Sequence, residues 1–342
     1  MPTSFPELVM HGVSAPSKGL LALLPALLLL AALASPASAQ DRNILYPIAE
    51  IEARLLAPEL VVLDQDYTRP LEGDRSRRVT LADPDGGEPW EVHWKPVGMG
   101  AEGFNNQPRY ELAAYHFQKL FLDESDYVVP PTVLRAMAIE EYREIRRVEE
   151  PTIRGTRSIL FLLSYWLQNI AVDTVDPFDQ MSFDRLPSYA WHWGNLNVFT
   201  HLIDHKDANH GNVLVSLDGS NTRVFAVDND VAFAGRTAEA GNRWSRLLVD
   251  RIPDTTVERL REITLQQLHE ELGVVAEFQI VGGYLYPMAP EENLQPGRGL
   301  RVTEDRVQFG LTEGEIRNIY QRIERLLERV DRGQITTFSR EG

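Results

Sequence analysis

The end of the chain carries its most regular pattern. Ile316, Ile319, Tyr320, Ile323, Leu326, Leu327 and Val330 recur at intervals of three and four, which places them on one face of a helix. Thr312 and Glu315 stand where a capping box would open that helix, and Gly333 where it would close. Similar reasoning predicts helices over Asn43–Leu56, Pro108–Phe121, Ala190–Ile203 and Thr256–Leu272. Alternating or clustered apolar residues predict strands at Val61–Leu63, Arg77–Ala82, Trp90–Lys95 and Val128–Val133, with Asp83-Pro84-Asp85-Gly86-Gly87 as a turn. Ser158–Leu167 is a continuous apolar run that fits either a buried strand or a buried helix. Val213–Val215 and Val224–Val227 are short strands around a Gly-Ser-Asn turn, and Gln279–Arg301, with Gly282-Gly283 and several prolines, is a strand or loop excursion.

Up to about residue 168 the pattern is strand-rich with one good helix, and beyond it helix-rich. The polar segment Asp173–Asp184 lies between. The expectation is an α+β chain of two lobes with a cleft, residues 40–168 and 169–342.

The first 39 residues read differently. Gly19–Leu33 is an apolar run of 15 residues, preceded by Lys18 and followed by Ala37-Ser38-Ala39. That is the layout of a cleavable signal peptide, and the run is shorter than the ~20 residues a membrane span needs. Export to the periplasm or beyond is expected, without stable membrane insertion once the leader is removed; an uncleaved N-terminal anchor is the alternative.

Charge and composition narrow the partners. The chain carries a net charge of −16 over 342 residues, and Glu7 and Lys18 cancel within the leader. Nucleic acid and anionic membranes repel such a surface. There is no cysteine, which excludes disulfides, thiolate metal sites, cysteine nucleophiles and a lipidated N-terminal cysteine.

The strongest chemical pattern is His205-Lys206-Asp207-Ala208-Asn209-His210-Gly211-Asn212-Val213-Leu214, followed across a hairpin by Val227-Asp228-Asn229-Asp230. Phosphoryl transfer needs a carboxylate to take or orient the proton of the attacking hydroxyl, an amide on the same tight loop, and a second carboxylate for a divalent metal. Asp207, Asn212 and Asp228 fit these roles, and oxygen-only ligands suit Mg2+ or Mn2+. Upstream, Lys95 ends a predicted strand and Glu111 lies early in the next helix, the order in which a strand lysine and a helix glutamate present an ammonium to nucleotide phosphates.

These residues carry a resemblance. Lys95-Pro96 looks like the strand end of atypical kinases. Arg109-Tyr110-Glu111-Leu112-Ala113-Ala114-Tyr115-His116-Phe117 resembles helix C of the secretory-pathway kinases, the family of the Golgi casein kinase and the proteoglycan xylose kinase. Val128-Val129-Pro130-Pro131-Thr132-Val133 is similar to the strand that follows it there. The Asp207–Asn212 loop and Asp228 are similar to those of HipA-type kinases, lipid kinases and aminoglycoside phosphotransferases. The resemblance covers roughly residues 60–235 and implies a bilobal protein-kinase-like fold with a strand-rich N-lobe carrying helix C and a helical C-lobe. It implies that Lys95 binds the phosphates of ATP, Glu111 orients it, Asp207 is the catalytic base, and Asn212 and Asp228 hold metal. The acceptor is then a hydroxyl of a protein or carbohydrate.

Some positions depart from the family. Leu71-Glu72-Gly73-Asp74 is a weak stand-in for a glycine-rich loop, and Gly98–Gly103 is only loosely phosphate-loop-like. His93 takes the place of a small or aliphatic residue, and Asp228-Asn229-Asp230 stands where Asp-Phe-Gly is usual. A catalytically inactive kinase fold acting as a binding module is therefore the alternative, and a metal-dependent hydrolase a third reading. His201, Asp204, His205 and His210 raise a zinc site, against a loop-shaping role for His205. Trp166, Trp191 and Trp193 raise a sugar-stacking surface, against plain core packing.

Overall fold

The computed structural model describes residues 41–68, 76–83, 85–103, 106–148, 150–171, 178–233 and 243–340. The predicted leader, Leu71–Asp74 and part of the polar segment after Asp173 lie outside them. After a short helix α1 (Ile48–Leu55), whose Ile48, Ile51 and Leu55 are buried, the chain forms β1 (Val62–Tyr67), β2 (Arg77–Leu81) and β3 (Trp90–Pro96). A buried helix α2 (Pro108–Gln118) leads to β4 (Thr132–Ala138), α3 (Ile139–Ile145) and β5 (Ser158–Tyr165). The five strands make one antiparallel sheet in the order β1-β2-β3-β5-β4. The ambiguous apolar run is thus a strand: β5 sits between β3 and β4 with all but one of its residues buried, as a strand covered on both faces must be.

The strand expected at Val128 begins instead at Thr132. Pro130 and Pro131 have no N–H to give a ladder, and the N–H groups of Val128 and Val129 both donate to Gln118 Oε1 at 2.8 Å.

The second half opens with α4 (Gln180–Arg185) and α5 (Pro187–Leu202), then a two-stranded hairpin, β6 (Val213–Val215) and β7 (Val224–Ala226). β8 (Arg251–Pro253) precedes α6 (Asp254–Glu262) and α7 (Leu265–Leu272). One helix was predicted across 256–272. It breaks because Ile263 is extended and Thr264 caps a new start, its hydroxyl accepting from Gln267 N–H at 3.1 Å.

The excursion near residue 280 is a second antiparallel sheet. Its strands are β9 (Ala276–Val281), β10 (Tyr284–Met288), β11 (Leu300–Val302) and β12 (Arg306–Phe309), in the order β10-β9-β12-β11. Gly282 and Gly283, with φ of +59° and +86°, supply the two-residue turn that matches strand twist. The long helix α8 (Glu313–Asp331) begins at the expected capping box, and β13 (Thr336–Phe338) returns to pair in parallel with β8.

The second sheet lies against the first: Arg157 N–H donates to Gly283 O at 2.7 Å and Leu285 N–H to Ser158 Oγ at 3.0 Å. From Asp41 onward the protein is one compact α+β body around a continuous apolar core. No helix among the described residues is long and apolar enough to cross a membrane.

Candidate active site

Lys95 is placed by the pleat of β3. Trp90, Val92 and Trp94 fill the core side, with Trp94 stacked on Phe161 at 4.2 Å, so Lys95 points from the opposite face. Glu111 comes from the first turn of α2. That helix is buried almost all round, which fixes its direction and keeps Glu111 largely buried.

Asp228 comes from the end of the β6–β7 hairpin. Gln118 of α2 grips the 128–129 backbone from both sides, with Nε2 donating to Val129 O at 2.8 Å, and Val128 O accepts from Ala226 N–H at 2.7 Å. The helix carrying Glu111 and the strand leading to Asp228 are therefore joined through one buried amide. Asp228 has φ of +58°, a left-handed conformation that aspartate tolerates better than most residues. It starts a single 3₁₀ turn, Asn229–Val231, whose Asn229 N–H donates to Glu111 Oε2 at 3.0 Å.

These elements converge on one ammonium. Lys95 Nζ lies 2.5 Å from Asp228 Oδ1, 2.8 Å from Asp230 Oδ2 and 3.5 Å from Glu111 Oε1. Glu111 and Asp230 are buried, while the Asp228 side chain is 43% exposed, so the cluster opens toward solvent on the Asp228 side. Burial opposes the charge on Lys95, but Asp228, Asp230 and Glu111 outweigh it and hold its pKa well above the ordinary value. In spite of partial desolvation, Lys95 holds Asp228 below the usual carboxylate range. Burial pushes Glu111 and Asp230 upward in spite of Lys95, with the Asp228 charge adding to the rise.

The Asp207 loop lies alongside. Asp207 Oδ2 accepts from Asn212 Nδ2 and Oδ1 from Asn209 Nδ2, both at 2.6 Å. Asn212 O accepts from Val227 N–H at 2.9 Å, so the loop is stitched to the residue just before Asp228. His205 is fully buried beneath, with Nε2 3.4 Å from Val227 O and Nδ1 accepting from Asp207 N–H at 3.3 Å. Burial lowers its pKa to about 4, so it is a neutral loop-shaping histidine.

Lys95, Glu111 and Asp228 are thus in direct contact, and Asp207 and Asn212 are hydrogen-bonded to each other on the adjoining loop. Asp230 is the residue sequence reasoning left without a role. Its signal was present in Asp228-Asn229-Asp230, but only the 3₁₀ turn shows that both acids meet the same lysine. Gln118 and Asn229 carried no sequence signal of their own.

The alternatives fare differently. Among the described residues, the one group of three or more potential metal ligands is Glu111, Asp228 and Asp230, with ligand atoms within 4.8 Å of one another. The histidines do not gather: His201 Nδ1 lies 3.1 Å from Ser245 O, and Asp204 pairs with Lys206 and Arg322. Trp191 and Trp193 are buried core residues, and Trp166 lies under Arg78. In the Gly98–Gly103 loop, Gly98 N–H donates to Asn106 Oδ1 and Gly100 N–H to Thr152 O. Those donors are taken up by the protein.

Three carboxylates around one ammonium leave excess negative charge, and every candidate donor is oxygen. Asn212 commits its amide nitrogen to Asp207, so its amide oxygen is what it can offer a cation. This donor set fits Mg2+ or Mn2+ and fits zinc or copper poorly. No protein-family model matches the chain, and no curated protein is significantly similar to it.

Proposed function

We propose that the protein is an exported phosphotransferase with a protein-kinase-like bilobal architecture, transferring the γ-phosphate of ATP to a hydroxyl of a protein or carbohydrate. The observation that carries this reading is the convergence of a strand lysine, a helix glutamate and a post-hairpin aspartate within 3.5 Å of one nitrogen, beside a loop whose Asp207 and Asn212 are five residues apart and hydrogen-bonded. In this reading Asp207 accepts the proton of the attacking hydroxyl. Lys95, oriented by Glu111, binds the phosphates. Asn212, Asp228 and Asp230 supply the oxygens for Mg2+ or Mn2+. A divalent ion bound there offsets charge on the phosphoryl group in flight.

Two observations favour a nucleotide- or metal-binding module without turnover. Lys95 is already satisfied by three carboxylates, and Asp-Asn-Asp replaces the usual triplet. A metal-dependent hydrolase has no need of the Lys95–Glu111 contact, which argues against it.

The test is thermal stability with ATP alone, metal alone and both. A ligand at about 100 times its Kd stabilises by roughly 2.7 kcal/mol. The expected shift needs ATP and metal together and is lost in Asp228→Ala. Asp207→Ala keeps that shift but lowers phosphoryl transfer by about 10²–10⁴-fold, the usual worth of a general base. A shift in the wild type without any transfer selects the binding module. No shift with any nucleotide or metal defeats both readings.

A further inference from the structure

Next to the Asp207 loop is an open pocket of about 470 Å³, lined among the described residues by Phe178, Gln180, Arg243, Trp244, Arg246 and Leu248. Its position is fixed by hydrogen bonds. Trp244 N–H donates to Ala208 O at 3.2 Å, which ties the pocket wall to the residue after Asp207. The 244–249 backbone is bolted to α5 by buried side chains. Asn197 Nδ2 donates to Arg246 O at 2.8 Å and its Oδ1 accepts from Leu248 N–H at 2.7 Å, while Thr200 Oγ1 donates to Trp244 O at 2.7 Å. A wall held this way is preorganised, which lowers the entropy lost on binding.

The chain carries −16, yet the described lining holds Arg246 and, over the Trp244 ring, Arg243, and no carboxylate. Arg246 is exposed and makes no ion pair among the described residues. Trp244 is 1% exposed and backs the wall from the core side. Phe178 crosses the Trp244 ring edge-on at 5.2 Å, adding an aromatic surface beside the charge. The volume suits a small molecule rather than an extended chain.

We propose that this pocket is the acceptor site and takes a small anionic carbohydrate, a sugar acid or sugar phosphate. Its anionic group meets Arg246, and its ring lies against Phe178 on the side nearer the Asp207 loop. The acceptor role rests on the phosphotransferase reading above; the binding chemistry does not.

The experiment is calorimetric binding to the purified protein, without ATP, of glucose 6-phosphate, glucuronate, glucose and inorganic phosphate. The anionic sugars are expected to bind more tightly than either glucose or phosphate. Arg246→Ala should weaken them by about tenfold or more, as loss of a charge-assisted contact does, and Arg246→Lys should restore part of that. Equal binding of glucose and glucose 6-phosphate, no effect of Arg246→Ala, or binding of phosphate as tight as that of the sugars would overturn the proposal. Arg246-dependent sugar binding in a protein that never binds ATP with metal would uphold the anion site while defeating the phosphotransferase reading. ATP and metal binding without sugar binding would do the reverse.

Discussion

Lys95 balances three carboxylates, so its removal is more than the loss of a hydrogen bond. Lys95→Met should leave two buried acids and one half-exposed acid without a counter-charge, and breaking a buried pair costs about 3–5 kcal/mol. The acids then take up protons in the folded state at a higher pH than in the unfolded chain. A group whose folded pKa is raised contributes its full stability below the unfolded pKa and has lost it once pH has risen through the folded one. Urea melts of Lys95→Met should therefore show a large deficit against the wild type at pH 8 and a smaller one at pH 5. Mg2+ should stabilise the variant more than the wild type, because the ion can replace the missing ammonium. A deficit that does not change with pH or Mg2+ would mean that the cluster is not the charge trap described here.

Among the elements, α2 is held at its N-terminus by α8. Arg109 forms a two-pronged pair with Glu315, at 2.7 and 2.9 Å, and Tyr110 OH donates to the same carboxylate at 2.5 Å. All three are buried. Glu315 also accepts from Thr312 N–H at 2.7 Å as part of the capping box, so one carboxylate both starts α8 and anchors the helix that carries Glu111. A Cβ on Gly299 would lie 2.4 Å from the Arg109 guanidinium carbon, so the residue just before β11 has to be bare. Glu315→Ala strands a buried arginine and should cost about 3–5 kcal/mol. Thr312→Ala, which removes only the cap, should cost about 1 kcal/mol. If α2 places Glu111 as argued, Glu315→Ala should also weaken ATP and metal binding at temperatures where the variant is still folded, and Thr312→Ala should not. Equal losses in the two variants would reduce the Arg109–Glu315 pair to a general stabiliser.

For the whole molecule, the two sheets and the helices share one core, and residues near both ends of the described chain meet around a polar cluster whose centre is buried. Arg223 pairs with Asp41 and donates to Tyr127 O, Asp126 accepts from Trp191 Nε1 and lies 3.4 Å from Arg340 Nη1, and His192 Nε2 lies 2.7 Å from Asn221 Oδ1. Unfolding is expected as a single transition by circular dichroism and calorimetry alike. Burial lowers the pKa of His192 to about 3, while the unfolded chain binds that proton near pH 6.5. The unfolded state thus holds more protons between those values, and stability should fall as pH drops below about 6.5. Nearby Asp126 is shifted upward by burial and works in the opposite sense at more acid pH. His192→Gln should remove about one proton of the slope between pH 6.5 and 4.5. Two separate transitions, or a slope indifferent to His192, would contradict this description.

Local pattern was enough for α8 and its capping box, for β2 and the strand β3 that carries Lys95, and for the β6–β7 hairpin that brings Asp228 back toward Asn212. In each case the deciding interactions run between residues close in sequence. The same holds for the Asp207–Asn212 contact, which a tight loop enforces. Tertiary structure decided the rest. Whether Ser158–Leu167 was strand or helix depended on β3 and β4 flanking it, because a run apolar on every face has no period to read. The second sheet was hidden because its strands are short and pair across gaps, and its place against β4 and β5 depends on partners more than 100 residues away. Asp230 joined the site only when Asn229 gave its N–H to Glu111, a contact spanning 118 positions. The sequence held the acids, the lysine and their order, but which of them share one ammonium is set by long-range packing that no local pattern encodes.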